Sequence, residues 1–423
     1  MSVQVATLDN GLRIVTERNP AVETASLGLW IDAGSRIETE RNGGIAHMLE
    51  HMVFKGTATR SAQAIATEIE DVGGHLNAYT GREQTGYYAK VLKDNVSLAV
   101  DLTSDLVFAA TLEDDELERE RTVILQEIGQ ANDTPDDIIF DHFQATAYPR
   151  QALGRPVLGT PETVSAIPRA DLVAFRDANY QPSRMVFAAV GNLDHEQVVA
   201  DVARRVGDRA RPASPGDADA TGQAAAYVGG VYGEARDLEQ THLVIGYPGA
   251  AFADPDVYAM SVYATLLGGG MSSRLFQEVR EKRGLVYSIY AFTQSFTDGG
   301  LFAIYAGTGP EDADECFAVI GDELGKIQGT LDDAEIVRAR AQLKASILMS
   351  LESTSSRCEQ LAQQMLVFGR PLSVAEVVAK IEAVDRATVL AIAERLNAAT
   401  PTVAVIGPRG AAEQGARFAR RAA

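Results

Sequence analysis

The chain has 423 residues, is 46% hydrophobic and 23% charged, and carries a formal net charge of −20 from 38 basic and 58 acidic side chains. That length exceeds what one hydrophobic core usually serves, so two domains are expected, and the composition is ordinary for a soluble globular protein. The acidic excess argues against general nucleic-acid binding, which needs a positive surface to displace counterions. It reads first as a solvated surface, and second as an acidic cavity suited to basic peptides. No window approaches 18 consecutive apolar residues, so nothing reads as a membrane span.

In chain order, residues 1–5 lack the basic flank and apolar stretch of a signal peptide. Residues 25–31 form an apolar run with strand character. Residues 43–54 begin with two glycines, take up helical spacing and carry His47, Glu50 and His51. Histidines four apart on a helix project from one face, one turn apart, which is the geometry two zinc ligands require. Glu50 leans over the same face, giving the order H-x-x-E-H, the inverse of the commoner H-E-x-x-H zinc motif. Two alternating strands follow at 76–79 and 84–91. A helix at 115–130 carries Glu120 and Glu127, seven apart and so on one face. A catalytic zinc needs a third protein ligand, and a carboxylate on a second helix is the natural supplier.

The apolar run 185–190 reads as the closing strand of the first half. Residues 209–226, rich in Ala, Pro, Gly and Asp, read as a linker. This gives a first domain at 1–208 and a second at 227–423. The second half opens with strand character at 242–246. It then passes through Gly268-Gly269-Gly270, which no G-x-x-x-x-G-K-[ST] pattern follows, so a phosphate loop is not expected. The two cysteines, Cys316 and Cys358, are too few for a disulfide framework and suit a reducing compartment. Cytoplasm is the expected location.

The halves are related. Residues 111–128 and 330–347 align at an offset of 219, matching Asp114 with Asp333, Glu116 with Glu335, Arg119 with Arg338 and Arg121 with Arg340. Gly154-Arg155-Pro156 is echoed by Gly369-Arg370-Pro371, and both halves close on an apolar run. Ordered matches of this kind read as an old duplication. Runs of strands and runs of helices without strict alternation predict an α+β fold: two duplicated domains, each a mainly antiparallel sheet with helices packed on one face. The copies differ in their chemistry. Ala339 and Ser346 stand where the first copy has Glu120 and Glu127, and His242 is the second half's only histidine. The first half is metal-competent and the second is not.

On these residues the chain resembles the pitrilysin family of inverted-motif zinc peptidases, most closely the half-length branch that includes mitochondrial processing peptidase subunits and bacterial relatives. The resemblance runs from Leu8-Asp9-Asn10-Gly11-Leu12 to the strand ending near Gly407. It implies Zn2+, one per chain, held by His47, His51 and Glu127, the last standing 76 residues after His51. Glu50 takes the part of general base and Glu120 that of a helper beside the ligands. The segment Asn77, Ala78 and Tyr79 resembles the family's edge strand, which pairs with an extended substrate. Arg280 and Tyr287, seven apart, match a pair that reaches substrate from the second half, with Arg283 as the competing arginine. The implied function is a zinc metalloendopeptidase acting on extended, unstructured peptides. The alternative is a non-catalytic core or peptide-binding subunit of the same fold. Family members of this length pair into a clam-like chamber, so a homodimer is expected, or else a heterodimer with an inactive sister chain.

Overall fold

A computed structural model describes residues 2–208, 224–408 and 410–422 of the chain. Most of the expected linker, residues 209–223, lies outside the described residues. The chain divides into two compact units: one comprises residues 1–129, 155–223 and 349–372, the other 130–154, 224–348 and 373–423. Each unit therefore includes one segment from the opposite half of the sequence. None of the described helices is long and apolar enough to cross a membrane.

The first unit is built on a six-stranded sheet of β1 (Val3–Thr7), β2 (Arg13–Arg18), β3 (Thr24–Ile31), β4 (His75–Thr80), β5 (Thr85–Leu92) and β6 (Met185–Gly191). Their order is β1-β2-β6-β3-β5-β4, antiparallel throughout except for the β2–β6 pair. Its helices are α1 (Ile45–Val53), α2 (Ala62–Glu70), α3 (Val96–Ala109), α4 (Asp114–Asn132), which continues to the other unit's first residues, α6 (Pro161–Ala166), α7 (Arg169–Asn179) and α8 (His195–Val206). The helix α5 (Pro135–Ala147) falls in the second unit. Strand alternation sorts the first sheet into two apolar faces. Ile14, Leu27, Leu29, Ile31, Tyr87, Phe187 and Ala189 point into the core shared with the helical layer. Their neighbours Val15, Trp30, Val186, Ala188 and Val190 point the other way.

The second unit repeats the plan. Strands β7 (Gly230–Ala235), β8 (Thr241–Pro248), β9 (Val286–Ser295), β10 (Gly300–Thr308) and β11 (Thr402–Gly407) lie in the order β7-β11-β8-β10-β9, with β7–β11 as the one parallel pair. Strand for strand this is the first sheet without β1. The accompanying helices are α9 (Val257–Gly268), α10 (Ala313–Thr330), α11 (Asp333–Ser350), α13 (Val374–Glu382), α14 (Arg386–Asn397) and α15 (Ala411–Ala422), while α12 (Thr354–Phe368) belongs to the first unit. Helices α4 and α11 begin 219 residues apart, the offset read from the sequence.

The duplicated helices α5 and α12 are exchanged. In the first unit α12 covers the second face of the sheet, where Cys358, Leu361, Ala362 and Met365 pack on Val15, Trp30, Val186 and Ala188. In the second unit α5 does the same with Ile139, Phe143 and Ala147 against Val244, Ala404 and Ile406. The main helical layer lies on one face of each sheet, as the patterning predicts, and one helix from the other half closes the opposite face. Polar contacts fix α12 in place. Arg357 Nε donates to Glu17 Oε2 at 2.7 Å with both side chains buried. Arg13 donates to the Met365 carbonyl at 2.7 Å, and the Ser26 hydroxyl lies 2.9 Å from that of Thr354.

Arg357→Met leaves Glu17 buried without its counter-ion and is expected to cost about 3–5 kcal/mol. The readout is the urea midpoint followed by fluorescence of Trp30, the chain's single tryptophan, which lies in the α12-covered cluster. Removing both charges, as Glu17→Leu with Arg357→Met, is expected to restore most of the loss.

Candidate metal centre

Helix α1 is short, nine residues, and six of them (Ile45, Ala46, Met48, Leu49, Met52 and Val53) are buried. The remaining stripe holds His47, Glu50 and His51, so burial of the apolar face alone aims all three into one space. The helix start is fixed from outside. Gly44 N–H donates to Glu38 Oε2 and Ala46 N–H to Glu38 Oε1, both at 2.9 Å. A carboxylate here satisfies two orphan amides and sits at the positive end of the helix dipole. Burial pushes the Glu38 carboxyl up to about 8, while the Ala46 and Gly44 amides and Arg155 pull the other way. Arg155 also donates to the Glu38 carbonyl. Gly44 has φ +91°, and a Cβ there would fall 2.7 Å from the Leu158 carbonyl, so only glycine fits.

Helix α4 supplies the carboxylates. Leu117, Ile124 and Ile128 anchor it in the core, and Glu120 is buried with them. Glu127, next in sequence to the buried Ile128 but turned away from it on the helix, keeps 37% of its side chain exposed. Its Oε2 lies 3.8 Å from His47 Nε2 and 3.5 Å from His51 Nε2, and the two imidazole rings meet edge to face at 4.6 Å. These three residues form the one candidate metal-holding cluster among the described residues, with all donor atoms within 4.8 Å of one another. Ligand bonds of about 2.0–2.1 Å in a tetrahedral site put donor atoms roughly 3.3 Å apart. The three atoms thus stand close to ligand–ligand spacing.

The donor chemistry fits zinc as well. Burial, reinforced by His51, lowers His47 to about 4, so its imidazole is neutral and able to ligate at neutral pH. His51 Nδ1 bonds Glu120 Oε2 at 2.9 Å, which turns Nε2 toward Glu127 and His47. Glu120 is held in turn by Lys55 Nζ at 2.6 Å. A carboxylate behind a histidine is the usual support for a metal ligand. His47 Nδ1 is buried without a protein partner.

Glu50 stands beside the cluster and outside it. Burial raises its carboxyl; the Thr80 hydroxyl and His51 pull it down, and Glu127 adds to the rise. Its Oε2 is buried with no partner in the protein. Asn77, Ala78 and Tyr79 lie on β4, the outermost strand of the sheet on that side, against which α1 packs. The Tyr79 hydroxyl accepts from Trp30 Nε1 at 3.2 Å and from Gln84 Nε2 at 3.2 Å.

Arg280 and Tyr287 belong to the second unit and come together there. The Arg280 guanidinium lies over the Tyr287 ring at 5.3 Å and over Phe276 at 4.8 Å, and Tyr287 is 80% exposed. The competing Arg283 is occupied, donating to the Glu278 carboxylate at 2.9 Å and its carbonyl at 2.7 Å. Sequence reasoning missed Glu38, Lys55 and Thr80. Thr80 directly follows the edge segment and Lys55 stands four beyond His51, so helical spacing could have flagged the lysine. Glu38 carries no local signal, because it caps a helix that starts several residues away.

Known proteins show the same organisation. A family profile described as insulinase (peptidase family M16) matches residues 13–161, and one described as the peptidase M16 inactive domain matches residues 166–343. An uncharacterized zinc protease of Streptomyces coelicolor is 41% identical over 416 residues, covering 96% of this chain and 90% of the relative. A probable mitochondrial-processing peptidase subunit beta of Arabidopsis thaliana is 40% identical, covering 93% of this chain and 76% of the relative. A protease from Helicobacter pylori of known crystal structure shares the fold with a TM-score of 0.87 at 23% identity, over 96% of this chain and 99% of that one. The metal-type residues fall inside the first matched region, and the region matched to the inactive domain lacks them. With both halves matched in order and relatives this similar along nearly the whole length, the chain belongs to peptidase family M16, a family of metallopeptidases.

Proposed function

We propose that this protein is a zinc-dependent endopeptidase that hydrolyses extended, unstructured peptides. The observation that carries this reading is the convergence of His47, His51 and Glu127 beside the half-buried Glu50, whose inner oxygen has no partner in the protein. The three donors would hold the ion, and Glu120 would keep His51 in the tautomer and orientation that ligation needs. When bound, zinc supplies a lowered water pKa and polarisation of the scissile carbonyl. Glu50 would accept a proton from the attacking water and return it to the leaving amine. A carboxyl whose proton affinity is raised by burial suits both halves of that exchange.

Substrate would be held by its main chain. The outer edge of β4 at Asn77, Ala78 and Tyr79 has no strand beside it among the described residues and would take one more once the Ala78 N–H is released from Asn77 Oδ1, a mode that tolerates many side chains but demands an unfolded segment. The Arg280 and Tyr287 side chains are suited to bind a substrate carbonyl or the negative charge that develops on it. We assign them to substrate held at a partner chain's metal centre, in a homodimer.

Glu50→Gln is expected to keep near-stoichiometric zinc while losing peptide hydrolysis by several orders of magnitude. Glu127→Gln is expected to lose zinc itself. Metal analysis after gel filtration, alongside cleavage of an unstructured peptide with and without chelator, separates the two. Wild-type turnover by Glu50→Gln would sink the mechanism. A zinc-loaded wild type that cleaves nothing would favour the non-catalytic subunit reading.

The shared site has its own test. Glu50→Gln and Tyr287→Phe proteins, each nearly inactive, are mixed and allowed to exchange subunits. Random pairing makes about half the dimers mixed, each with one intact site of two, so roughly a quarter of wild-type activity returns. Exchange verified by tagged pull-down with no recovery would show that each site is made by one chain, or that the natural partner is a different one.

A further inference from the structure

The face of the first sheet turned away from the metal centre holds a hollow of about 190 Å3. It lies between strands β3, β4 and β5 and the first turns of α12, all within the first unit. Gly28, which pairs with Tyr88 and stands between Ser26 and Trp30 on this face, brings no side chain to fill it. Trp30 and Tyr79 close one side, joined by the Trp30 Nε1 bond to the Tyr79 hydroxyl. Tyr88, its ring centroid 6.3 Å from that of Tyr79, completes an aromatic wall. Helix α12 adds Ser355 and Glu359, four apart and so on one helix face. Sites for drug-sized ligands run to about 300–1,000 Å3, so this hollow suits a single side chain.

Glu359 is the one charged residue of the lining, and it is exposed while Tyr79 and Tyr88 are half-buried. The hydroxyls of Ser26 and Ser355 pair with each other at 3.0 Å, which leaves the carboxylate to set the sign of an occupant. Burial raises the hydroxyls of both tyrosines, and the charge of Glu359 adds to the rise in each. A lone surface carboxylate is ordinarily solvated and says little. One that shares a hollow with two aromatic rings supplies both things a cation is recognised by, a counter-charge and electron-rich faces.

A peptide strand added to the outer edge of β4 places alternate side chains on opposite faces of the sheet. Those level with Ala78 fall on the metal side, where Leu76 and Ala78 pack on the helical core. Those level with Asn77 and Tyr79 fall on the side of the hollow, where Tyr79 and Tyr88 pack with Trp30. Tyr88 stands on β5 directly across from Asn77, two strand spacings or about 9–10 Å from such a peptide. Only a long side chain approaches it from there. We propose that the hollow is a specificity subsite for one lysine or arginine of the substrate, its aliphatic stem lying across the Tyr79 and Tyr88 rings and its charged head at Glu359. Long basic side chains are built for such a split, with an apolar stem and a charged tip. The recognised residue then lies on the face of the substrate strand opposite to the one that meets the metal, so recognition and cleavage address different side chains.

This inference rests on the peptidase reading, and the experiment separates the two. A lysine is moved one position at a time through an otherwise neutral, unstructured peptide, and kcat/KM is compared with that of the norleucine peptide at each position. The wild type is expected to prefer lysine by about tenfold at one position, or at two positions that are two apart. Glu359→Gln is expected to bring that ratio close to one, and Glu359→Lys to favour glutamate at the same position. Ratios at the adjacent positions, whose side chains face the metal, are expected to stay where they were. Each readout is a ratio within one protein, so a loss of folded enzyme does not move it. A lysine preference that survives Glu359→Gln, an equal change at adjacent positions, or a wild type with no lysine preference overturns the inference and leaves the peptidase reading standing. A wild type that cleaves none of the peptides overturns the peptidase reading and the inference with it.

Discussion

The grip of the Glu38 carboxylate on the first amides of α1 is the constraint on which the site depends. A nine-residue helix is too short to persist on its own propensity. Its start has to be fixed by an external cap and its rotation by the burial of its apolar face. Once both are set, His47, Glu50 and His51 have no freedom in azimuth, and only side-chain torsions remain. Glu120 removes that freedom from His51, and the Lys55 ammonium on its other oxygen keeps Glu120 from following the histidine. The centre is therefore built from backbone outward, each layer restricting the one inside it.

The two halves show what that layering requires. Their sheets have the same strand order and the same single parallel pair, yet only one carries the ionisable set. The counterpart of Glu120 is Ala339, itself buried at 2% exposure. A buried carboxylate is tolerable where a histidine and a lysine meet it, and expensive where they are missing. An alanine at that position is what the physics of burial favours once the histidines are gone. The histidine pair and the glutamate that supports it are thus present together in one half and absent together from the other.

Much of this was legible in the sequence because it rests on local periodicity. The strand expected at 25–31 is Thr24–Ile31, that at 84–91 is Thr85–Leu92, and the helix expected at 115–130 is Asp114–Asn132. The spacing of His47, Glu50 and His51 fixed their shared face, and the offset of 219 exposed the duplication. The exchange of α5 and α12 was not legible. Either helix has an apolar stripe that fits a sheet, and nothing in a stripe says which sheet it will cover. Glu38 escaped for a related reason, since it caps a helix that begins several residues further on and no local pattern marks it. Arg280 is favoured over Arg283 by its seven-residue spacing to Tyr287, and what the sequence does not show is that Arg283 is paired with Glu278 while Arg280 lies over the Tyr287 ring.

The exchanged helices also bear on how the protein is made. The first sheet has all its strands by Gly191, but the helix that roofs its outer face ends at Phe368. Synthesis at about 5–20 residues per second leaves roughly 9–35 s during which Trp30, Val186 and Ala188 have their helix still unmade. Through that interval the nascent chain displays a β-sheet surface meant for the interior. A chaperone, or the slow acquisition of structure by the first half, has to shield it. For the same reason neither half of the gene is expected to give a self-sufficient product, since each would lack the roof encoded by the other.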